Sequence, residues 1–288
     1  MLDILFNFLT YLPFYAYALV LAFVGCFLYQ KTSKFSFTHE LAERDNPAFA
    51  AVLAGYVIGL VIALSGAFPS SSETFSEAAT TMSISGVLAI LLMRASLLIN
   101  ERFILAKFSM TDELLRDRNL GTGLAVAGGS IGTGIIIAGA LTGESDGYLL
   151  AIRDIVIYWS LGQLLLVVGA QIFYATAGYD VQHSLEHHDN PASGASLGGF
   201  LISLGILLGA ILRYSSSSIL EEMSITIVEV VIGGMLLLLT RFLTEKLILP
   251  KVNVAHEISV QKNAAAGIIS AAASIVTALL LAAAVAAH

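Results

Sequence analysis

Residues 39–68 read HELAERDNPAFAAVLAGYVIGLVIALSGAF, and from Asn46 to Phe68 there is no Asp, Glu, Lys or Arg. A helix of about 20 apolar residues crosses the hydrocarbon core of a bilayer. Lipid offers the backbone no hydrogen-bond partner, so an apolar run of this kind is read as a spanning helix. The strict apolar–polar alternation of a transmembrane β-strand is missing here and in runs such as Met235–Leu239. Asn46 and Pro47 mark the start of the span, because Asn is a preferred N-cap and Pro suits the first helical position.

Working outward, the same reading recurs along the chain. Spans are expected at about 8–30, 46–68, 80–99, 120–141, 148–172, 191–212, 223–244 and 263–285. The 288 residues are 57% hydrophobic and only 12% charged, against about 25% charged in soluble domains. The polar coat of a soluble protein is therefore not available. The expected fold class is all-α, a polytopic membrane helix bundle of about eight transmembrane helices in a single membrane domain, 1–288. A net charge of −7 argues against a nucleic-acid partner. The single cysteine, Cys26, allows no internal disulfide and gives no metal signature. The N-terminal run has no Lys or Arg before Lys31 and is longer than a cleavable signal core, so it is read as a retained first span.

Three connections between spans are short and carry breakers: Pro69 with its serines, Thr142–Gly147 and Ser215–Ser218. The others are longer and hold most of the positive charge. Lys31, Lys34 and Arg44 follow the first span, Arg102, Lys107, Arg116 and Arg118 the third, and Lys246, Lys251 and Lys262 the seventh. The short-loop side has Arg153 and Arg213 beside acids such as Glu73, Glu77, Glu144, Asp146, Glu221 and Glu222. Positive loops stay in the cytoplasm, so both termini are expected outside and the long connectors inside, in a bacterial inner (plasma) membrane.

The opening stretch has a second copy. His183-Ser-Leu-Glu-His-His-Asp-Asn-Pro-Ala192 matches His39-Glu-Leu-Ala-Glu-Arg-Asp-Asn-Pro-Ala48, so Asn190 aligns with Asn46. Asn119 and Asn263 fall at nearly equal spacing. Seven positions before each Asn stand His39, Asp112, His183 and His256. They are followed by Glu40, Glu113, Ser184 and Glu257, and then by Leu41, Leu114, Leu185 and Ile258. The chain thus reads as four two-helix repeats, approximately 1–70, 71–144, 145–215 and 216–288. Two spans per unit keep all four parallel. The second span of each unit carries small residues four apart, such as Gly55/Gly59, Gly128/Gly132 and Gly205/Gly209, which lets helix backbones approach closely in lipid.

The Asp-Asn-Pro-Ala start, the Gly-rich span and the upstream Glu-Leu resemble domain of unknown function 350, the YjfL-like bacterial inner-membrane proteins. The resemblance covers the chain as paired repeats. It is best in Glu40–Gly66 and Leu185–Gly209, and weakest in the last unit, where Ala264 and Ala272 replace the Pro and Gly of the first. It implies a multi-pass inner-membrane protein linked to envelope-stress functions, and it supplies no catalytic residue.

Candidate ligand or ion residues follow from chemistry. The connector positions His39, Glu40, Asp112, Glu113, His183, His256 and Glu257 offer imidazole and carboxylate, which bind metals and carry protons. Their spacing matches no metal motif, so no metal or cofactor is expected. The four asparagines are read as caps, a role in which Asp would serve as well. Glu229, Arg153 and Asp154 lie about two turns inside their spans, where ionisable groups are functional candidates. Since neighbours on a helix do not face each other, an Arg153–Glu229 pair is expected. The connectors, with Phe35, Phe37 and Leu41 between polar residues, are read as lying on the membrane surface. No nucleophile elbow, phosphate loop or zinc-protease motif appears, so no catalytic residue is assigned. The expected function is a structural or partner-binding envelope component, its partners being the bilayer and other membrane or envelope-stress proteins, with an oligomer compatible. The competing function is a transporter or channel for a small ion or solute.

Overall fold

A computed structural model describes residues 2–69, 74–143, 147–212 and 219–285. The charges expected at Glu73, Glu144, Asp146 and Arg213, and the Ser215–Ser218 breaker, lie outside the described residues, as do the side chains of Glu221 and Glu222. Eight helices are long and apolar enough to cross a membrane. They are α1 (Leu2–Thr32), α2 (Pro47–Ser65), α3 (Phe75–Ile99), α5 (Leu120–Leu141), α6 (Tyr148–Thr176), α8 (Pro191–Ile211), α9 (Ile219–Ile248) and α11 (Ala264–Val285). No strand occurs among the described residues. Three short helices fill the connectors: α4 (Met110–Leu115), α7 (Val181–His188) and α10 (Val254–Ser259). The equivalent place in the first unit is a π-helical turn, His39–Glu43, and a second π-helical turn, Asn100–Ile104, extends α3.

The spans form two layers. The four second spans stand in a row in chain order, α2 against α5, α5 against α8 and α8 against α11. The first spans make a flanking layer: α3 lies over α2 and α5, α6 over α5 and α8, and α9 over α8 and α11, while α1 packs on α2 and α3. Sequence dictates which layer is which. The row helices are rich in glycine and alanine, whereas the flanking helices present large apolar residues such as Phe23, Leu91 and Leu164 outward. In lipid no hydrophobic force separates these roles. Close backbone packing at small residues selects the row.

The register of the row is the same at each junction. The residue four after each Asn sits on the backbone two after the preceding Asn: Gly123 on Ala48, Gly194 on Gly121 and Gly267 on Ala192. The residue nine after each Asn meets the one eight after the next: Gly55 meets Ala127, Gly128 meets Gly198, and Gly199 meets Ala271. A Cβ at any of these glycines would overlap the facing helix. The positions are therefore glycine because another backbone fills the space, not because of their own dihedral angles.

The aromatic side chains of the first connector turn into the bundle. Phe37 is buried, with Phe49 at 4.8 Å and Tyr29 at 5.1 Å between ring centroids, and Phe35 meets Phe49 edge-on at 5.1 Å. The bundle itself supplies an apolar cleft, so these rings fill it. Leu114, Leu185 and Ile258 are buried in the same way.

Candidate functional site

The connector motifs come together with the row helices at one end of the bundle. Asn46 caps α2: its Oδ1 accepts from the Phe49 N–H at 3.1 Å. Its Nδ2 donates twice, to Glu40 Oε2 and to the Leu114 carbonyl of the next unit, both at 2.8 Å. Asn119 repeats this, accepting from Thr122 and donating to Glu113 Oε2 and the Leu185 carbonyl, both at 2.6 Å. Asn190 accepts from Ala192 and Ser193 and donates to Ser184 Oγ at 2.9 Å and to the Ile258 carbonyl at 2.7 Å. Asn263 accepts from Ala265 and Ala266 and donates to Glu257 Oε2 at 2.9 Å. Each of the first three asparagines thus caps its own span, ties down its own connector and grips the next unit.

Local geometry explains the spacing. The residue before each Asn is left-handed, with φ of 47° at Asp45, 53° at Arg118, 46° at Asp189 and 51° at Lys262. This bend returns the chain so that the backbone N–H of Asn46, Asn119 and Asn263 reaches the carbonyl of Glu40, Glu113 and Glu257. Asn and Asp tolerate such a φ better than other side chains, and a lone residue of this kind costs about 1 kcal/mol or more. Two of the four also brace the neighbouring unit: Arg118 Nη1 donates to the Arg44 carbonyl at 2.9 Å, and Lys262 Nζ to the His188 carbonyl at 2.8 Å.

Glu40 and Glu113 occupy the same cradle but feel opposite fields. Glu40, 4% exposed, receives Arg44 Nη1 at 3.0 Å. Burial pushes its carboxyl up, but hydrogen bonds from Asn46 and Arg44 and the Arg44 charge outweigh it and hold the pKa below the ordinary value. At Glu113, 5% exposed, the place of Arg44 is taken by Asp117, which pairs with Arg116. Burial lifts its pKa, the Asn119 hydrogen bond opposes this, and the nearby acids Asp117, Asp189 and Glu186 add to the lift.

The other connector candidates point away. His39 is exposed and its Nδ1 lies 2.8 Å from Glu43 Oε2. Asp112, His183 and His256 sit in exposed first turns, held by backbone N–H bonds to Ser109, Asp180 and Asn253. His183 packs against His187 and His188, with centroids 4.4 and 5.3 Å away. Among the described residues, no group of three metal-ligating side chains converges.

Within the spans, Arg153 pairs with its own neighbour, with Nη2 2.6 Å from Asp154 Oδ1. Among the described residues no ion pair joins Arg153 to Glu229, which is half-buried on α9. The expectation rested on neighbours facing apart, but a long guanidinium stem curls back to the adjacent carboxylate. Sequence reasoning did not single out Arg241. Its Nε meets Glu245 Oε1 at 3.1 Å, Ser270 Oγ donates to the same oxygen at 2.8 Å, and its guanidinium lies 4.5 Å above the Phe173 ring and 5.7 Å from Phe200. Arg94 has a counterpart place in the first half, 4.5 Å over Tyr29, which packs on Tyr56 at 4.6 Å. Tyr29 and Tyr56 stand at the same distances from Asn46 as Phe173 and Phe200 do from Asn190. That matched spacing was the signal available in the sequence.

The geometry therefore divides into two halves of two units each. A family model described as Domain of Unknown Function (DUF350) matches residues 1–141 and again residues 147–285. The chain belongs to the DUF350 family. Among the described residues each match holds one guanidinium-over-aromatic layer and two asparagine cradles, so this DUF350 chain is two family domains in tandem, joined where α5 meets α8. No curated protein and no solved structure matches the chain.

Proposed function

We propose that this DUF350 protein is a non-enzymatic scaffold of the bacterial inner membrane, which holds membrane or envelope-stress partners and conducts nothing. The observation that carries this reading is the backbone-to-backbone contact of the row helices. Glycine carbonyls and Cα atoms of one span fill the space beside the next, as with Gly134 on Gly59 and Gly139 on Gly209, which leaves no lumen between neighbours. The most hydrogen-bonded polar groups, the asparagine cradles, are spent joining units rather than facing a solute. The Lys/Arg bias supports connectors in the cytoplasm and termini outside. Reconstitution of the purified chain in liposomes tests the scaffold reading. Proton, Na⁺, K⁺ and Cl⁻ flux equal to protein-free vesicles is the expected result, and protein-dependent flux overturns it.

One observation favours the transport reading. Asn100 is 2% exposed, begins a π-helical turn and has neither amide atom hydrogen-bonded among the described residues. Turns of this type are frequent at functional sites, and a buried unpaired amide costs about 1–3 kcal/mol. Flux abolished by Asn100→Leu would assign that position to a polar path.

A further inference from the structure

The row of second spans ends in α2 on one side and α11 on the other, and each end exposes a face that is covered at the internal junctions. Inside the chain one face of a row helix takes the preceding unit and another takes the following unit, in the same register at all three junctions. At the first end, the face of α2 equivalent to Gly123 and Ala127 of α5 carries Ala50 and Ala54, both exposed. At the last end, the face of α11 equivalent to Ala48 and Gly55 of α2 carries Ala265 and Ala272, both exposed. The exposed face of the flanking layer instead carries large apolar residues such as Phe23, Leu91 and Leu164. The hydrogen-bond ladder is open at the same two ends. Among the described residues Asn263 donates only to Glu257, while its three counterparts each reach a following carbonyl. The matching carbonyl of the first unit, Leu41, receives no side-chain donor among the described residues.

We infer that a second copy of this chain occupies these faces head to tail, α11 of one copy packing on α2 of the other, with Asn263 donating to Leu41 across the junction. The contact continues an interface that the chain already contains. The α5–α8 junction joins two separate family matches through these same faces. Ala272 stands where Gly55, Gly128 and Gly199 sit internally, so the junction between copies is wider than the internal ones and separable.

Geometry also sets the size. At about 100° per residue, the faces turned to the preceding and following units lie roughly 130–140° apart, on the side away from the flanking layer. The row is accordingly concave there. A cavity of about 330 Å³ near the short-loop end is bounded by Ser65 of α2, by α5 and α8, and by Ala282 of α11. Helices meeting at that angle close with about eight members, which is two chains. A heterologous contact that closes gives a ring rather than a filament.

The inference rests on the scaffold reading, and the experiments separate them. In a Cys26→Ser background, Ala54→Cys and Ala272→Cys are made singly and together, in the full chain in native membranes. Mild oxidation should give a covalent dimer from the double variant and from co-expressed single variants, but from neither single variant alone. Native mass measurement of the parent chain in nanodiscs should give two copies. Self-cross-linking of Ala54→Cys alone would mean a symmetric contact and overturn the proposal. So would mixed cross-linking no greater than with Val87→Cys, which faces outward from the flanking layer, or a monomeric mass. Flux with a cross-linked dimer would remove the scaffold reading and leave the contact standing; a silent monomer would do the reverse.

Discussion

Replacing Glu40 and Glu113 by glutamine should give opposite results, although both are buried acids bonded to an asparagine. In Glu40→Gln the amide oxygen can still accept from Asn46, but an NH₂ group then faces Arg44 Nη1, which had been 3.0 Å from a carboxylate oxygen. A hydrogen bond to a charged group is worth about 1.5–3 kcal/mol. Arg44 is about one-third exposed and keeps the Leu115 carbonyl at 2.6 Å, so the loss is set at about 2 kcal/mol. In Glu113→Gln the bond from Asn119 survives, no cation is stranded, and a charge held among acids is removed. That change should be neutral or stabilising, no worse than about 0.5 kcal/mol. Thermal unfolding in nanodiscs should show Glu40→Gln lower by on the order of 5 °C and Glu113→Gln level or higher. The pH dependence has opposite signs. Glu40 has a depressed pKa, so its contribution is full above the ordinary value of 4.5 and fades as pH falls through the folded value. Glu113 has a raised pKa, so the advantage of Glu113→Gln is present at neutral pH and closes as pH falls toward 4.5. Equal losses in both variants, or the larger loss at Glu113, would refute the contrast drawn from Arg44 and Asp117.

Asn119→Ala should cost about 3 kcal/mol, combining a lost cap of about 1 with the stranded Leu185 carbonyl, read as a lowered unfolding temperature. Asn119→Asp should be nearly as damaging, because an aspartate still caps but cannot donate and would face Glu113. Gly128→Leu should drive α5 from α8, since even a Cβ there overlaps Gly198; limited proteolysis between the two halves should then speed up without loss of either half's helicity. In intact cells in the Cys26→Ser background, a membrane-impermeant thiol reagent should label Ser72→Cys and spare Thr38→Cys. The reverse pattern would invert the topology.

Much of the fold was legible because spanning a bilayer leaves few options. Apolar length gave eight helices, and the recurring Asn with its upstream Glu-Leu marked the units. The caps were legible from Asn46-Pro47 alone. The donation to the following unit was not: a cap needs only Oδ1, and nothing local shows that both Nδ2 hydrogens are also used. Capping alone therefore admits Asp at these positions, and only the two Nδ2 donations exclude it. The same holds for the row. Small residues four apart predict close helices, but their order and register depend on which backbone lies opposite. Arg241 escaped attention because its partners Phe173, Glu245 and Ser270 come from three helices. Arg153 shows that adjacency on a helix separates short side chains but not a guanidinium long enough to fold back on Asp154.

The forward grip of each asparagine has a consequence for biogenesis. While a ribosome is delivering the first unit to the membrane, the Asn46 amide has one acceptor in Glu40, and its second, the Leu114 carbonyl, has not yet been made. The same delay recurs at Asn119, which waits for Leu185, and at Asn190, which waits for Ile258. Each arriving hairpin therefore completes the one before it, and maturation runs in one direction along the nascent chain. An arrest after any unit leaves the last asparagine without its forward acceptor, the same open edge that Asn263 presents at the end of the row among the described residues, so every partial product is ready to receive the next hairpin.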